Sequence, residues 1–567
     1  MKNYPLQINP TSPDSFKPLA LRRFMAGWFP SISSEMLILG ASIFFSLFCN
    51  QLFWPASLAG RSATDIHTWI FAGSIFFIVT AIHSILLGLV VNRWTAKPLL
   101  SILLIATAVA GYYMNTYTVF FDTSMMRNIF QTDVKEAREL FTWNMLGYVL
   151  LYGALPALLV TKLSIRKQAW QRTLVKRGAF LLGSVAVAAV CTVISFQDLS
   201  ALMRNHKEVR YLVTPGNFIV SSTRTLLADS GDTQTARLPV GADARLAAAW
   251  SQRPKPALFV IVVGETARSA NWGLNGYERQ TTPNMARAHI VNFRDVESCG
   301  TNTEVSVPCM FSPFGRHDYD EDKIRKHESL LHVLEHAGIR TLWRDNQSGC
   351  KGVCKGLAIQ RLDASKQAGV CDGDRCLDEI LLTDLDEEIQ KHQGENLVVV
   401  LHQLGNHGPS YSHRYPESFR KYKPTCEQAD LGKCTRQEIV NSYDNALLYT
   451  DHFLDQTIRR LQVQSTHEAA MLYISDHGES LGENGIYLHG LPYAIAPKEQ
   501  TRVPMLMWLD DGFASSSGID RDCLGQIAKH PLSHDYLFHS VLGILKVDTK
   551  AYNKNFDFTA GCRAQGA

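Results

Sequence analysis

Five long apolar runs in the first two hundred residues constrain this chain more than any other feature of its sequence. Each run is about 20 residues or longer with few or no charges, which lets an α-helix cross the roughly 30 Å hydrocarbon core of a bilayer. One such run could be a buried helix of a soluble protein, but five in succession predict a membrane domain. The runs are Glu35–Trp54, Trp69–Val91, Pro98–Phe121, Trp143–Ile165 and Gly178–Phe196.

The Lys and Arg residues between the runs predict the orientation of the spans, because basic loops stay on the cytoplasmic side. The N-terminal arm and the second and fourth loops are basic, whereas the first loop carries only Arg61 and the third mixes basic with acidic residues. We therefore expect a cytoplasmic N-terminus and, after five spans, an external C-terminal part. The first run begins too late and is too long for a cleaved signal peptide, so it should remain as an anchor. The basic residues are Lys2, Lys17, Arg22 and Arg23 in the arm, Arg93 and Lys97 in the second loop, and Lys162, Arg166, Lys167, Arg172, Lys176 and Arg177 in the fourth.

The twelve cysteines agree with this topology. Cys49 and Cys191 lie in predicted spans, and the other ten lie in the C-terminal part, an even number as a disulfide framework requires. Zinc binding is the alternative interpretation of "CKGVC" and "CDGDRC", but an oxidising compartment favours disulfides. Four close pairs are predicted, and the two remaining cysteines form a fifth: Cys299–Cys309, Cys350–Cys354, Cys371–Cys376, Cys426–Cys434 and Cys523–Cys562.

The chain is expected to have three parts. Residues 1–200 form the membrane domain, 201–240 a bridging helix broken at Pro215 and a polar linker, and 241–567 a soluble domain. In the third loop, at about 122–142, apolar residues recur at helical spacing, which predicts an amphipathic helix on the outer membrane surface; a plain connector is the alternative. The net charge is +3 and no basic patch carries interleaved aromatic residues, so nucleic acid is not an expected partner.

From about Ala257 the pattern is that of an α/β domain. Short apolar runs such as "ALFVIVVG", "NLVVVLHQLG" and "AAMLYISDHG" read as buried parallel strands, and helical stretches separate them. Strands that alternate with helices predict a mixed, mostly parallel sheet with helices on both faces. In such sheets the functional site lies at the carboxyl ends of the strands.

Candidate metal ligands follow two of these strands. Glu265 comes directly after "FVIVVG", and Asp476 and His477 follow "MLYIS". A carboxylate, an Asp–His pair and one further oxygen make a ligand set suited to zinc with an exchangeable position. For Glu265 alone, a carboxylate that stabilises a helix N-terminus is the simpler interpretation.

Further histidines and a group of hydroxyls lie in neighbouring loops. His402 and His407 follow another strand, and His489 follows His477 by twelve residues; such histidines could hold a second metal ion or bind a phosphate. The loop "VESCGTNTEVSVPCM" sets three hydroxyls between two cysteines. Since coordination to a divalent cation favours the alkoxide of a hydroxyl, a nucleophile is expected here, and composition does not choose among Thr301, Thr303 and Ser306.

Several ordered motifs carry a family resemblance: "VVGETAR", "SCGTNTEVSVPCMFS", "HQLGNHGP", "NSYDNALLYTD", "SDHGESLGENGIYLHG" and "AIAPKEQTRVP". Together they resemble the phosphoethanolamine transferases that act on lipid A, a family that includes the transferable polymyxin-resistance enzymes. This family lies within the alkaline phosphatase and sulfatase superfamily. The resemblance extends through the five spans, the bridging helix and nearly all of the soluble domain.

The resemblance implies roles for individual residues. It makes Thr303 the acceptor nucleophile, and it implies one or two zinc ions. Asn302 and Glu304 depart from it, because small residues are usual there, and the role of Glu304 is left open. The implied zinc ligands are Glu265, Thr303, Asp476 and His477, with His407 and His489 at a second zinc or phosphate site; Lys351 binds the substrate phosphate, and Asn128, Thr132 and Glu136, spaced by four on one helix face, line the lipid pocket.

The expected function is a two-step transfer from phosphatidylethanolamine to a phosphate of lipid A, by a monomer in the bacterial inner membrane with its catalytic domain in the periplasm. The phenotype implied is resistance to polymyxins and cationic peptides. Three alternatives stay open: transfer to lipopolysaccharide core or another glycan, a membrane-anchored phosphodiesterase, and a glycerol-phosphate polymerase. A sulfatase is disfavoured, because the nucleophile loop lacks Cys-x-Pro-x-Arg, and a non-catalytic scaffold would not need these ligands.

Overall fold

The computed structural model describes residues 31–132, 134–232, 237–248, 250, 253–362, 369–372 and 375–563. The chain divides into two compact units, one comprising residues up to Gly111 with Gly147–His206 and the other comprising Tyr112–Leu146 with Lys207–Ala567. The second unit therefore includes the segment at 112–146. This segment comprises the connection between two candidate membrane spans together with the end of one span and the start of the next. Lys2, Lys17, Arg22 and Arg23, used above for the orientation, lie outside the described residues.

Helices dominate the described residues from 31 to 232. Four of them, within the described residues, are long and apolar enough to span a membrane: α3, α4, α7 and α8 as named below. In chain order the helices are α1 (Ser34–Phe48), α2 (Phe53–Leu58), α3 (Ile66–Val90), α4 (Ala96–Tyr117), α5 (Thr123–Gln131), α6 (Val134–Glu139), α7 (Trp143–Lys162), α8 (Trp170–Ile194), α9 (Phe196–Asn205) and α10 (Gly216–Asp232).

The first predicted span is shorter than expected. The run Glu35–Trp54 forms α1, which has 15 residues and is therefore about 22 Å long. The helix ends at Cys49, and the Asn50 side chain donates a hydrogen bond to the Phe45 carbonyl at 2.7 Å, which satisfies the end of the helix. The apolar run thus forms a helix as predicted. Among the described residues, five apolar helices lie where five spans were expected, four of spanning length and α1 shorter.

The predicted amphipathic helix at about 122–142 is also corrected. It is divided into α5 and α6, because Thr132 takes an extended backbone and its hydroxyl donates to the Asn128 carbonyl at 2.8 Å. Asn128, Thr132 and Glu136 therefore do not share one continuous helix face; the Glu136 side chain lies outside the described part of the structure. Within α5, the amphipathic character is as predicted, since Ile129 and Phe130 are exposed while three neighbouring residues are buried: Met125, Met126 and Arg127.

Several polar contacts join the segment at 112–146 to the rest of the second unit. Arg127 forms an ion pair with Glu321, and Glu139 accepts a hydrogen bond from Arg414 at 2.5 Å. Asn144 donates to Asp430, also at 2.5 Å. The segment is therefore held by buried charges rather than by apolar packing alone.

An eight-stranded sheet forms the centre of the second unit. Its spatial order is β8-β2-β7-β6-β1-β5-β3-β4, and all neighbouring pairs are parallel except β6–β7 and β7–β2. The strands are β1 (Ala257–Gly264), β2 (Ile290–Glu297), β3 (Arg340–Asp345), β4 (Ile359–Arg361), β5 (Leu397–His402), β6 (Glu468–Ser475), β7 (Arg502–Leu509) and β8 (Leu532–Ser533). This is the mixed, mostly parallel sheet predicted from the sequence.

Helices cover both faces of the sheet, and β1, β5 and β6 are buried along their whole length. This double cover explains why these strands are continuous apolar runs rather than alternating ones. One hydrophobic cluster packs α11, α13 and α19 on one face, and another packs α15 on the other. The helices of this part are α11 (Thr303–Met310), α12 (Glu321–Lys326), α13 (Leu330–His336), α14 (Leu385–Lys391), α15 (Arg436–Gln462), α16 (Lys498–Thr501), α17 (Asp511–Ser517), α18 (Arg521–Ile527) and α19 (Asp535–Ile544).

All five predicted cysteine pairs are joined as disulfides: Cys299–Cys309, Cys350–Cys354, Cys371–Cys376, Cys426–Cys434 and Cys523–Cys562. The sulfurs of "CKGVC" and "CDGDRC" are therefore paired with each other rather than arranged as zinc ligands. Cys49 and Cys191 are the free cysteines among the described residues.

Candidate active site and metal centre

The predicted metal ligands meet at the carboxyl edge of the sheet. Glu265 follows β1 and Asp476 follows β6, and the two strands are parallel neighbours with Ser475 opposite Gly264. The register therefore places the two carboxylates side by side. His477 Nε2 lies 3.4 Å from Glu265 Oε1 and 3.3 Å from Asp476 Oδ2, and all three side chains are fully buried.

This cluster fits a divalent cation. Ligand atoms of Glu265, Asp476 and His477 lie within 4.8 Å of one another. Asp476 Oδ2 is buried without a hydrogen-bond partner, and two adjacent buried carboxylates require a compensating positive charge. The His477 Nδ1–H donates to the Gly478 carbonyl at 2.9 Å, which orients the ring so that Nε2 faces the two carboxylates. Thr303 Oγ1 lies 3.3 Å from the same Nε2, which places a further oxygen beside these three side chains.

The titration of the cluster reflects this crowding. Burial and the charge of Glu265 raise the pKa of Asp476 to about 7. Burial alone would lower the pKa of His477, but the charges of Asp476 and Glu265 raise it to about 9. Burial would likewise raise the pKa of Glu265, but its hydrogen bond to His477 holds that pKa below the usual range. Near neutral pH the metal-free cluster therefore holds protons that a metal ion must displace.

We accordingly expect the affinity for zinc to rise with pH up to about 9, where His477 loses its proton. Below that pH the His477 imidazole is protonated, and zinc can bind only by displacing the proton. Each displaced proton lowers the apparent affinity for zinc about tenfold for every pH unit below the pKa of its group. Competition with a chromophoric chelator over this range would measure the slope. The pKa values of Asp476 and His477 are about 7 and about 9, so zinc affinity that stays constant between these two pH values would contradict the expectation.

The three candidate hydroxyls have different contacts. Thr303 Oγ1 lies 3.0 and 3.1 Å from the two carboxylate oxygens of Glu265. By contrast, Thr301 donates to the Leu491 carbonyl at 2.7 Å, and Ser306 donates to the Asp476 carbonyl at 2.5 Å. Only Thr303, of the three, has its hydroxyl in the metal cluster. The other two hold the loop to its surroundings.

Local sequence explains where Thr303 lies. It is the first residue of α11, and the Asn302 side chain caps this helix by accepting a hydrogen bond from the Val305 N–H at 3.0 Å. The unsatisfied N–H groups of the first turn and the helix dipole favour negative charge at this point. Asn302, which departs from the usual small residue, therefore acts here as a helix cap.

Two further predicted histidines lie beside the cluster. The rings of His477 and His489 are 4.5 Å apart between centroids, and those of His489 and His407 are 5.4 Å apart. The His489 Nδ1–H donates to Glu479 at 2.6 Å, and Tyr411 donates to the other oxygen of the same carboxylate at 2.6 Å. Glu479 therefore fixes the orientation of the His489 ring. No role was assigned to Glu479 from the sequence.

The loop that carries His407 passes very close to Glu265. Gly405 has φ +54°, and a Cβ added there would lie 2.6 Å from the Glu265 carbonyl oxygen and 2.9 Å from its nitrogen. The Asn406 N–H donates to that same carbonyl at 3.0 Å. The buried Asp378 carboxylate accepts from the N–H groups of Leu404 and Gly405. Glycine at 405 is thus what lets the loop pack against the backbone of Glu265.

Gly405→Ala should therefore lower kcat/KM by about 100-fold, because displacing an active-site loop by about 1 Å has costs of that order. A kinetic assay of the transfer reaction expected from the family resemblance would measure this. Gly525→Ala is the matched control, since Gly525 lies in α18 and its Cβ would meet nothing within 4 Å. The control should gain up to about 1 kcal/mol of stability with no loss of rate. Equal rates for the two variants would contradict the role given to Gly405.

Lys351 lies in the loop closed by the Cys350–Cys354 disulfide, with its own backbone at φ +48°. Its ammonium group donates to Ser348 Oγ at 2.5 Å and lies 3.8 Å from Glu304 Oε2. Its side chain is buried, as is that of Glu304.

Three more side chains lie near the cluster, of which only His402 was named from the sequence. His402 lies at the end of β5 and pairs with Asp345 at 2.8 Å rather than with His407 or His489. Gln347, which sequence reasoning missed, donates to Glu265 at 3.3 Å. His534 was also missed: its Nδ1 accepts from the Cys299 N–H at 3.1 Å and its Nε2–H donates to the Ser475 carbonyl at 3.0 Å. It thereby joins the nucleophile loop to the strand that precedes Asp476.

Two family profiles match the chain. One described as "Phosphoethanolamine transferase EptA/EptB" matches residues 79–229, and one described as "Sulfatase" matches residues 257–547. The first profile covers membrane helices and the second covers nearly all of the sheet.

Relatives and solved structures agree with both profiles. The chain is 37% identical over 540 residues to phosphoethanolamine transferase EptA of Escherichia coli K12, covering 94% of this chain and 98% of that protein. It is 37% identical over 496 residues to phosphatidylethanolamine transferase Mcr-1 of Escherichia coli, covering 85% and 90%. The integral membrane lipooligosaccharide phosphoethanolamine transferase A of Neisseria meningitidis superposes with a TM-score of 0.88 at 37% identity, covering 94% of this chain and all of that one.

Proposed function

Because this chain belongs to the EptA and Mcr family of phosphoethanolamine transferases, we propose that it transfers phosphoethanolamine from phosphatidylethanolamine to a phosphate of lipid A through a covalent threonine intermediate. The observation that carries the proposal is the Thr303 hydroxyl, which lies 3.0 Å from Glu265 and 3.3 Å from His477 inside a buried cluster of metal ligands.

In the first step the Thr303 oxygen attacks the phosphorus of phosphatidylethanolamine. A bond forms between Thr303 Oγ1 and phosphorus, and the bond from phosphorus to the glycerol oxygen breaks, which releases diacylglycerol. The hydrogen bond from Thr303 to the Glu265 carboxylate aligns the hydroxyl and directs its proton to that carboxylate. The leaving glycerol oxygen takes up one proton, so the step is balanced.

In the second step a phosphate oxygen of lipid A attacks the phosphoethanolamine held on Thr303. A bond forms between that oxygen and phosphorus while the bond from Oγ1 to phosphorus breaks. Oγ1 takes up one proton, which restores the Thr303 hydroxyl. We assign His407, His489 and Lys351 to the binding of the transferred and accepting phosphates, where positive charge and N–H donors stabilise the charge that develops. Asn128, Thr132 and Glu136, on the surface segment, are assigned to the lipid pocket.

The proposed cofactor is zinc, as one or two ions. Glu265, Thr303, Asp476 and His477 would hold the first ion, and His407 with His489 would hold a second ion or a phosphate. When bound, the metal lowers the pKa of the hydroxyl and compensates the negative charge of the phosphoryl group. The two buried carboxylates, which lie within 4.8 Å of each other, support this assignment.

We further propose that the protein is an inner-membrane monomer with a cytoplasmic N-terminus and a periplasmic second unit. Added ethanolamine cations would reduce the attraction of the cell surface for cationic peptides, so expression should confer resistance to polymyxins.

The test is to incubate the full-length enzyme with phosphatidylethanolamine vesicles and purified lipid A and to record the mass of each product. Lipid A heavier by one phosphoethanolamine unit, with diacylglycerol formed in equal amount, would support the proposal. Free ethanolamine phosphate with unmodified lipid A would identify a phosphodiesterase. Transfer to core oligosaccharide or another glycan but not to lipid A would move the acceptor, and glycerol-phosphate chains would identify a polymerase.

A further inference from the structure

The Glu304 carboxylate is the buried charge nearest in sequence to the nucleophile, and nothing above gives it a function. Its side chain is fully buried, yet it does not join the metal cluster, which among the described residues comprises Glu265, Asp476 and His477. Glu304 follows Thr303 on α11, so its side chain leaves the helix about 100° away from that of Thr303. It therefore faces a different set of partners.

Those partners are two cations. Arg325, on α12, donates from one guanidinium nitrogen to Glu304 Oε1 at 2.5 Å and to the Glu304 backbone carbonyl at 3.0 Å. The other oxygen, Oε2, has no hydrogen-bond partner and lies 3.8 Å from the Lys351 ammonium. One oxygen thus fixes the carboxylate, and the other is left facing the lysine.

Lys351 depends on this contact. Its side chain is 1% exposed, so bulk water does not solvate the charge, and Glu304 is the only carboxylate within 4.0 Å of its ammonium among the described residues. Its second contact, Ser348 Oγ, is uncharged. A buried ammonium group without a counter-charge is costly, so the carboxylate determines where the ammonium lies.

Arg325 is itself held by charge. Its Nε lies 3.3 Å from Glu321, which also pairs with Arg127 on α5. The five charges alternate in sign from Arg127 through Glu321, Arg325 and Glu304 to Lys351. The order of signs places each group beside an opposite charge, and the set of five carries one net positive charge.

We propose that Glu304 is a positioning residue, which acts by holding the Lys351 ammonium group at the phosphate-binding site beside Thr303. This inference rests on the proposed function, because it adds a residue to the site that binds the donor phosphate. It also explains how a carboxylate is tolerated next to a nucleophile that must receive an anionic donor: Arg325 and Lys351 neutralise it.

The test is a double-mutant cycle on the full-length enzyme, with inorganic phosphate as the probe and calorimetry as the readout. Glu304→Gln and Lys351→Met should each weaken phosphate binding by about tenfold, as for other residues that support a ligand. The double variant should bind phosphate within about twofold of Lys351→Met alone, because Glu304 acts only through the lysine. Losses that multiply, or wild-type affinity in Glu304→Gln, would overturn the inference.

Metal content and a matched control separate this role from others. Glu304→Gln should keep its full zinc content, and loss of zinc would make Glu304 a metal ligand instead. Glu468→Gln removes another buried carboxylate, paired with Arg253 at 2.5 Å at the opposite end of β6, and should lower the melting temperature without changing phosphate affinity. If Glu304→Gln does not fold, Glu304→Asp should weaken binding about threefold, and unchanged affinity would overturn the inference.

The covalent adduct distinguishes a failure of this inference from a failure of the proposed function. The rate at which Thr303 gains phosphoethanolamine should fall in each single variant, and in the double variant it should fall no further than in Lys351→Met. Glu304→Gln should also show a raised KM for the donor. If wild-type enzyme binds phosphate in this pattern but never forms the adduct, the proposed function is overturned while the pairing of Glu304 with Lys351 stands.

Discussion

Thr303→Ala should abolish the covalent phosphoethanolamine adduct and lower the transfer rate by at least about 10⁴-fold, the range seen when the nucleophile of a covalent enzyme is removed. The physical reason is that the Thr303 hydroxyl alone, of the three in its loop, lies in the cluster of Glu265 and His477. Intact mass after incubation with phosphatidylethanolamine would show the gain of one phosphoethanolamine unit in the wild type and none in the variant.

Thr301→Ala and Ser306→Ala are the matched controls, because each removes a hydroxyl from the same loop. These hydroxyls donate to backbone carbonyls of Leu491 and Asp476, so their loss should reduce stability and slow the reaction while the adduct still forms at Thr303. Thr303→Ser should keep part of the activity, since it retains the oxygen. An adduct that persists in Thr303→Ala would move the nucleophile to another residue.

Asp476→Asn should remove the metal and reduce the transfer rate by more than about 100-fold. The substitution keeps the size of the side chain but removes one of two negative charges that lie within 4.8 Å of each other in a fully buried cluster. Elemental analysis of the purified variant should find zinc well below the wild-type amount. Stripping the wild type with a chelator should reproduce the loss of activity, and added zinc should restore it.

Asp451→Asn is the control for placing an amide in the core. The Asp451 carboxylate is buried in α15 and accepts hydrogen bonds from the N–H groups of Asn284 and Met285, both at 2.9 Å. The Asp451→Asn variant should be less stable, because the hydrogen bonds from the two N–H groups lose their charged acceptor. The variant should nevertheless keep its zinc. Full zinc and full activity in Asp476→Asn would refute the ligand assignment.

The sequence predicted the sheet and the position of the site because both depend on simple rules. Continuous apolar strands specify a doubly covered sheet, and the carboxyl ends of parallel strands meet at one edge. The register of Ser475 opposite Gly264 then places Glu265 beside Asp476. Four of the disulfide pairs followed from close spacing, and the fifth from the two cysteines that remained.

Local side-chain hydrogen bonds and contacts between distant segments could not be predicted. Asn50 ends α1 early, and the Thr132 hydroxyl interrupts the surface helix, through local hydrogen bonds that a hydropathy pattern does not reveal. Glu479 and His534 were missed because they hydrogen-bond to other protein groups, and such a role leaves no motif in the sequence. The role of Glu304 was left open because the two cations that neutralise it are distant in sequence. Arg325 on α12 lies 21 residues further along the chain, and Lys351 lies 47 residues further along.

The inclusion of residues 112–146 in the catalytic unit has a practical consequence for drug discovery. A secreted fragment that starts near residue 240 would lack Arg127 and Glu139, the partners of Glu321 and of the buried Arg414. It would also lack Met125, which lies against Gly490 next to His489. Compounds selected on such a fragment would meet exposed charges and an open surface that the intact enzyme does not present, so screens for inhibitors should use the full-length protein in detergent or lipid.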